Sequence, residues 1–163
     1  MGAVTIKVTG GENMSRVLEQ RERSLGTSPL LRMGFLEGAT YPSDAKRHRR
    51  GGLHVATVAF WNEFGTATAP ARPFFRTMVR QKSPGWGRSL ARILSNNDYN
   101  GEKSLALMGV GISQQLQRSI NSNIPPPNSP RTVARKGFAH TLIDSAVMLR
   151  SVDFQVLLGG GGQ

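Results

Sequence analysis

The chain has 163 residues and sets 21 Lys and Arg against 10 Asp and Glu, a formal charge of +11. That length suits one domain, and a 38% hydrophobic fraction with 19 Gly and 9 Pro favours a loop-rich fold over a smooth helical bundle. The absence of cysteine excludes disulfides, zinc ribbons and cysteine nucleophiles, and leaves the redox compartment open.

No apolar run approaches the roughly 18 residues that a membrane-spanning helix needs. The opening MGAVTIKVTGGENMSR lacks the basic-then-apolar layout of a signal peptide. The sequence therefore predicts a soluble chain, unprocessed at its start and without a membrane partner. Of the 21 cations 16 are Arg, whose planar fork suits carboxylates and phosphates at interfaces. An anionic partner surface follows, and charge alone leaves nucleic acid and acidic protein both open.

In chain order, Val4, Ile6 and Val8 alternate with polar residues as a strand with one buried face does. Glu12 to Ser24 reads as a short amphipathic helix stopped by Gly26. Pro29 to Tyr41 fits a strand with a glycine bend, and Leu53, Val55, Thr57 and Val58 fit its partner strand. Between them Ser43 to Gly52 forms a hairpin tip crowded with Lys46, Arg47, Arg49 and Arg50. Like charges so close repel, so this tip is expected to be solvated until it meets an anion, whether phosphate or acidic protein.

Phe60, Trp61 and Phe64 fall at helical spacing before Gly65. Pro73 suits the first position of a helix carrying Phe74, Phe75, Met78 and Val79, and Pro84 to Leu94 supplies a further turn or two. The clearest helix is Glu102 to Ser122, where Leu105, Met108, Ile112, Leu116 and Ile120 recur at spacings of three and four. Three consecutive prolines then force an extended loop over residues 124–137. Val152, Phe154, Val156 and Leu158 alternate as a terminal strand before a flexible tail at 159–163. The whole predicts an α+β fold, with an antiparallel sheet packed on a long helix and shorter helices, as a single domain over 1–158.

No arrangement of residues satisfies the spacing that catalysis requires. His48, His54 and His140 have no ligand partner at helical spacing, so no metal or cofactor is predicted. Gly101-Glu102-Lys103-Ser104 lacks the adjoining Gly-Lys and the earlier glycine of a phosphate loop, and no serine stands in a nucleophile elbow. The expectation is a protein that is not an enzyme.

Three segments carry a resemblance. AFWNEFGTATAPARPFFRTMV (Ala59 to Val79), IPPPNSPRTVARKG (Ile124 to Gly137) and TLIDSAVMLRSVDFQV (Thr141 to Val156) occur in this order over the back two thirds of the chain. Together they resemble the tail-completion and neck proteins of long-tailed bacteriophages, the group that includes the lambda minor tail protein Z. The basic hairpin is a less familiar part of that pattern. The resemblance implies a non-catalytic virion subunit, made in the host cytoplasm, that forms a ring, commonly a hexamer, in the neck or at the head-proximal tail end. Its expected partners are further copies of itself, neighbouring neck or connector proteins, tail-terminator or tail-tube proteins, and packaged DNA through non-specific contact. Sequence-independent nucleic-acid binding stands as the alternative.

The matched residues have physical roles of their own. Phe60, Trp61 and Phe64 are expected to anchor the core, while Asn62 and Glu63 fix a turn or reach a neighbouring subunit. Arg72, held rigid by Pro73, suits a salt bridge to an adjacent subunit. The proline-stiffened loop is expected to reach a neighbouring ring with the charges of Arg131, Arg135 and Lys136.

Overall fold

The computed structural model describes residues 16, 18, 19, 29–35, 38–43 and 51–158. The expected strand at Val4 to Val8, the basic residues Lys46 to Arg50 and the tail at 159–163 lie outside them. So does most of the helix expected over Glu12 to Ser24, although its described positions Arg16, Leu18 and Glu19 are helical.

Strand β1 (Leu30–Phe35) pairs antiparallel with β2 (Val152–Leu157), from Leu30 opposite Leu157 to Phe35 opposite Val152. Among the described residues five helices lie between them: α1 (Val55–Phe64), α2 (Phe74–Asn96), α3 (Gly101–Ile120), α4 (Pro130–Lys136) and α5 (Val147–Arg150). The architecture is α+β, with an antiparallel two-stranded sheet among the described residues and one face of α3 against both strands.

Helix α3 organises the core because its buried positions Ser104, Met108, Ile112, Leu116 and Ile120 recur every four residues and form one continuous stripe. That stripe meets Phe74 and Met78 of α2, Val55, Val58 and Ala59 of α1, and Met148 and Val152 near the end of the chain. Burying each such large apolar side chain contributes about 1.5–3 kcal/mol. Polar bonds fix the pairing of α2 with α3: Trp86 Nε1 donates to Gln115 Oε1 at 2.9 Å, and Ser119 Oγ donates to the Phe74 carbonyl at 2.7 Å. At the turn between them Asn100 Oδ1 accepts from Lys103 N at 2.9 Å, capping α3.

Three elements differ from their sequence expectations. Leu53 to Val58 is not the partner strand of β1, because Val55 begins α1 and extended pairing is confined to the junction. Tyr41 N donates to Leu53 O at 2.9 Å and Val55 N to Ala39 O at 2.8 Å, so the stems of the basic loop are joined before the helix starts. The β-branched composition of 55–58 yields to packing, since only a helix puts Val55, Val58 and Ala59 together on the core. Pro84 likewise does not divide α2, which runs unbroken for 23 residues. The proline sits on the exposed side, while Met78 and Trp86 hold the two halves against α3. Finally, residues 130–136 of the expected extended loop are helical. Ser129 caps α4, Pro130 occupies its first turn and Gly137 ends it in the left-handed conformation, φ 80°.

The close approach of β2 to α3 depends on Gly109, where an added Cβ would lie 2.4 Å from Cδ2 and 2.6 Å from Cγ of Phe154. At Gly111, on the open side of the same helix, a Cβ would meet nothing within 4 Å. Gly109→Ala is therefore expected to lose stability, by up to about 2 kcal/mol, as overpacking outweighs a helix-propensity gain of about 1 kcal/mol. Gly111→Ala should keep that gain. Urea denaturation of the two variants checks the contrast, and equal midpoints would contradict the Phe154 contact.

Candidate assembly surface

The NEFG stretch ends α1 and turns the chain into α2. Asn62 Nδ2 donates to the Val58 carbonyl at 2.9 Å, and the Asn62 carbonyl accepts from Arg72 N at 2.7 Å, closing the loop 65–71 across its base. Gly65 has φ +81°, and a Cβ there would come within 2.8 Å of Ala71 N, so this turn requires glycine.

Glu63 is buried and serves the next helix. Its carboxylate accepts from Phe75 N at 2.9 Å and Arg76 N at 3.2 Å, two of the N–H groups that open α2 without an intrahelical partner. Pro73, in the cap position, has no side-chain bond to offer them. Arg76 closes the arrangement with Nε 3.2 Å from Glu63 Oε1.

Arg72 is only 7% exposed, and its fork points along the chain's own surface. Nε donates to the Pro126 carbonyl at 2.9 Å, and Nη2 reaches the Pro127 carbonyl at 3.3 Å and Asn128 Oδ1 at 3.4 Å. Burial pushes the guanidinium below its ordinary pKa. The expected rigid presentation of Arg72 to a neighbour is thus corrected for these atoms, which clip the proline segment to the domain. Asn128 Nδ2 continues the clip to the carbonyls of His140 at 2.9 Å and Ala139 at 3.2 Å. The residues of 124–137 do not reach out as an arm.

The aromatics of α1 overturn another expectation. Phe60, Trp61 and Phe64 are 59%, 42% and 55% exposed and do not anchor the core. They occupy the face opposite Val55, Val58 and Ala59, so α1 is apolar on both sides and only one is buried within the chain. Phe60 and Phe64 stack at 4.7 Å between centroids, and the Arg76 guanidinium lies 5.1 Å over Phe64. Beside them Met33, Phe35 and Phe75 help to line an apolar groove of about 370 Å³ between β1, α1 and the start of α2.

The structure brings Asn62, Glu63 and Arg72 together around one turn, and Arg72, Arg135 and Lys136 around one pocket. Arg131 and Arg135 are exposed on α4, while Lys136 Nζ donates to the His140 carbonyl and lies over the Phe138 ring at 4.7 Å. Sequence reasoning missed Asn128 and Thr141. It missed the exposed aromatic face too, although apolar residues on both sides of α1 were visible in the spacing. Among the described residues no three His, Asp or Glu side chains gather as metal ligands, and no helix is long and apolar enough to cross a membrane.

Compared with protein-family models, curated proteins and solved structures, the chain matches none.

Glu63→Ala is expected to lower stability by about 2–3 kcal/mol, because two helix-opening N–H groups lose a charged acceptor. Glu63→Gln keeps an amide oxygen for one of them and should lose roughly half as much. Chemical denaturation distinguishes the two, and an Ala variant as stable as the parent would remove Glu63 from this role.

Proposed function

We propose that this protein is a structural subunit of a tailed-bacteriophage virion, a ring-forming tail-completion or neck subunit that joins tail to head without catalysis. The observation that carries this reading is the aromatic face of α1. Three large rings stand in water beside an apolar groove, on a helix whose other face and whose exit turn are rigidly fixed. Exposed apolar patches of this kind mark protein interaction sites. The resemblance in the NEFG, proline and terminal segments supplies the assembly context. In this reading Glu63 and Arg72 hold the frame, and the aromatics meet a neck, tail-terminator or tail-tube protein.

A second reading, sequence-independent nucleic-acid binding, is favoured by α2. Arg76, Arg80, Lys82, Arg88 and Arg92 are all exposed along it, and the helix contains no acid. If DNA is the main partner, changing Arg80, Arg88 and Arg92 to Gln should flatten the salt dependence of DNA binding by about 0.9 log units for each phosphate that the variant no longer neutralises. Under the assembly reading, free DNA binds weakly and the slope does not change.

The assembly reading is tested by substituting Phe60, Trp61 and Phe64 with Ser. These side chains carry little of the core, so the variant is expected to keep its thermal melting temperature. It should also produce filled heads beside unattached tails under the electron microscope, with the parent protein found in normal virions by mass spectrometry. Infectious particles of normal form from the variant would overturn the role assigned to this face. Absence of the parent protein from virions would overturn the reading itself.

A further inference from the structure

A second surface feature lies on the other side of the NEFG turn, where a pocket of about 370 Å³ opens between loop 65–71, the proline segment with α4, and residues 141–144. Arg72 is its most unusual wall. The side chain is buried and bonded only to neutral oxygens, and no carboxylate among the described residues lies within ion-pair distance of it. A buried cation without a counter-charge is costly, and carbonyl oxygens offset only part of its desolvation. Nη1 makes no hydrogen bond among the described residues, so two N–H donors remain.

Two more groups converge there. Arg135 lines the pocket, exposed and without an ion pair among the described residues. Thr141 is 8% exposed, and its Oγ1 is buried in the wall with no hydrogen-bond partner. The one acid in the lining, Asp144, is engaged in an interaction of its own. The free Nη1 of Arg72 and the exposed Arg135 suit a carboxylate, which accepts from several N–H groups at once.

Two unengaged carboxylates lie at the other end of the same helix pair. Asp98 sits in the turn between α2 and α3 with φ 51°, and Glu102 sits in the first turn of α3. Both are exposed and neither has a hydrogen bond or ion pair among the described residues. Lys103 is the one cation next to Glu102, so the turn stays acidic on balance. The 23-residue α2 separates this turn from Arg72, roughly 34 Å at 1.5 Å per residue, and no chain can place its own turn in its own pocket.

We propose that the pocket receives the α2–α3 turn of a second copy of this chain, whose Asp98 or Glu102 carboxylate accepts from Arg72 and Arg135. Because the contact joins opposite ends of the subunit, it is heterologous and propagates head to tail, closing into a ring when the rotation between copies allows. This inference deepens the ring-forming reading above and rests on it. It assigns the ring contact to a charge pair separate from the aromatic face, which stays free for a different protein.

The test is sedimentation velocity and native mass spectrometry of the full chain with charge reversals at exposed positions. Circular dichroism checks that each variant is folded. The parent is expected to associate with rising concentration. Arg135→Glu, and separately the pair Asp98→Lys with Glu102→Lys, should each weaken association roughly tenfold or more. A chain carrying all three changes should regain it. An equimolar mixture of the two weakened variants should also regain association, as alternating copies, since each variant's turn is matched in charge to the other's pocket. Oligomers indifferent to these changes overturn the contact and leave ring formation standing. A parent chain that stays monomeric at high micromolar concentration overturns both.

Discussion

The carboxylate of Glu63 inside the first turn of α2 is the constraint on which the rest of the arrangement depends. A 23-residue helix that starts after a proline opens with N–H groups that its own residues cannot satisfy. Glu63 reaches them from the last turn of the preceding helix, so the end of α1 and the start of α2 become one rigid joint. A buried carboxylate would be costly alone, but here it accepts two backbone bonds and a guanidinium contact. The direction of α1, and with it the direction in which Phe60, Trp61 and Phe64 face, follows from that joint.

Arg72 extends the same joint to the far end of α3. The chain leaves α3 at Ile120 and passes through three prolines that have no amide hydrogens, so this stretch can be tied to the domain by backbone bonds only through donors to its carbonyls. Arg72 supplies them from 54 and 55 residues away in sequence. The fork geometry matters, because Nε and Nη2 lie in one plane and can meet successive carbonyls together, which a lysine cannot do. A segment that composition alone describes as an extended loop is in this way drawn onto the domain, and α4 begins directly after the clip.

Much of the fold was legible in the sequence wherever a single period dominated. The stripe of α3 and the alternation at Val152, Phe154 and Val156 led directly to a helix and a strand. The partner of that strand was not legible, because β1 and β2 are about 120 residues apart and local patterns carry no information about pairing at that distance. The sequence singled out Asn62, Glu63 and Arg72 and left open whether the first two fix a turn or reach a neighbour; the structure has both fixing the turn, and Arg72 bonded within the chain. Nothing local in Glu63 or Arg72 says whether a charge serves the chain or a neighbour, since that depends on which unpaired backbone groups the fold brings near. The aromatics failed for a different reason. Hydrophobicity says that a ring prefers to leave water, and is silent on whether its own chain or another protein covers it.

The exposed rings and the excess of positive charge are two sides of one physical problem. A chain that leaves Phe60, Trp61 and Phe64 in water invites indiscriminate association, and a charge of +11 opposes it, because copies of the chain repel before apolar faces can meet. The repulsion decays over about 8 Å at physiological ionic strength. Overcoming it takes either an anionic partner or a contact in which opposite charges are placed locally against the net field. In the proposed subunit the acidic turn and the Arg72 pocket meet that second condition, and the acid-free face of α2 leaves room for the first. Electrostatics would then select where the aromatic face is allowed to dock, and apolar burial would hold it once there.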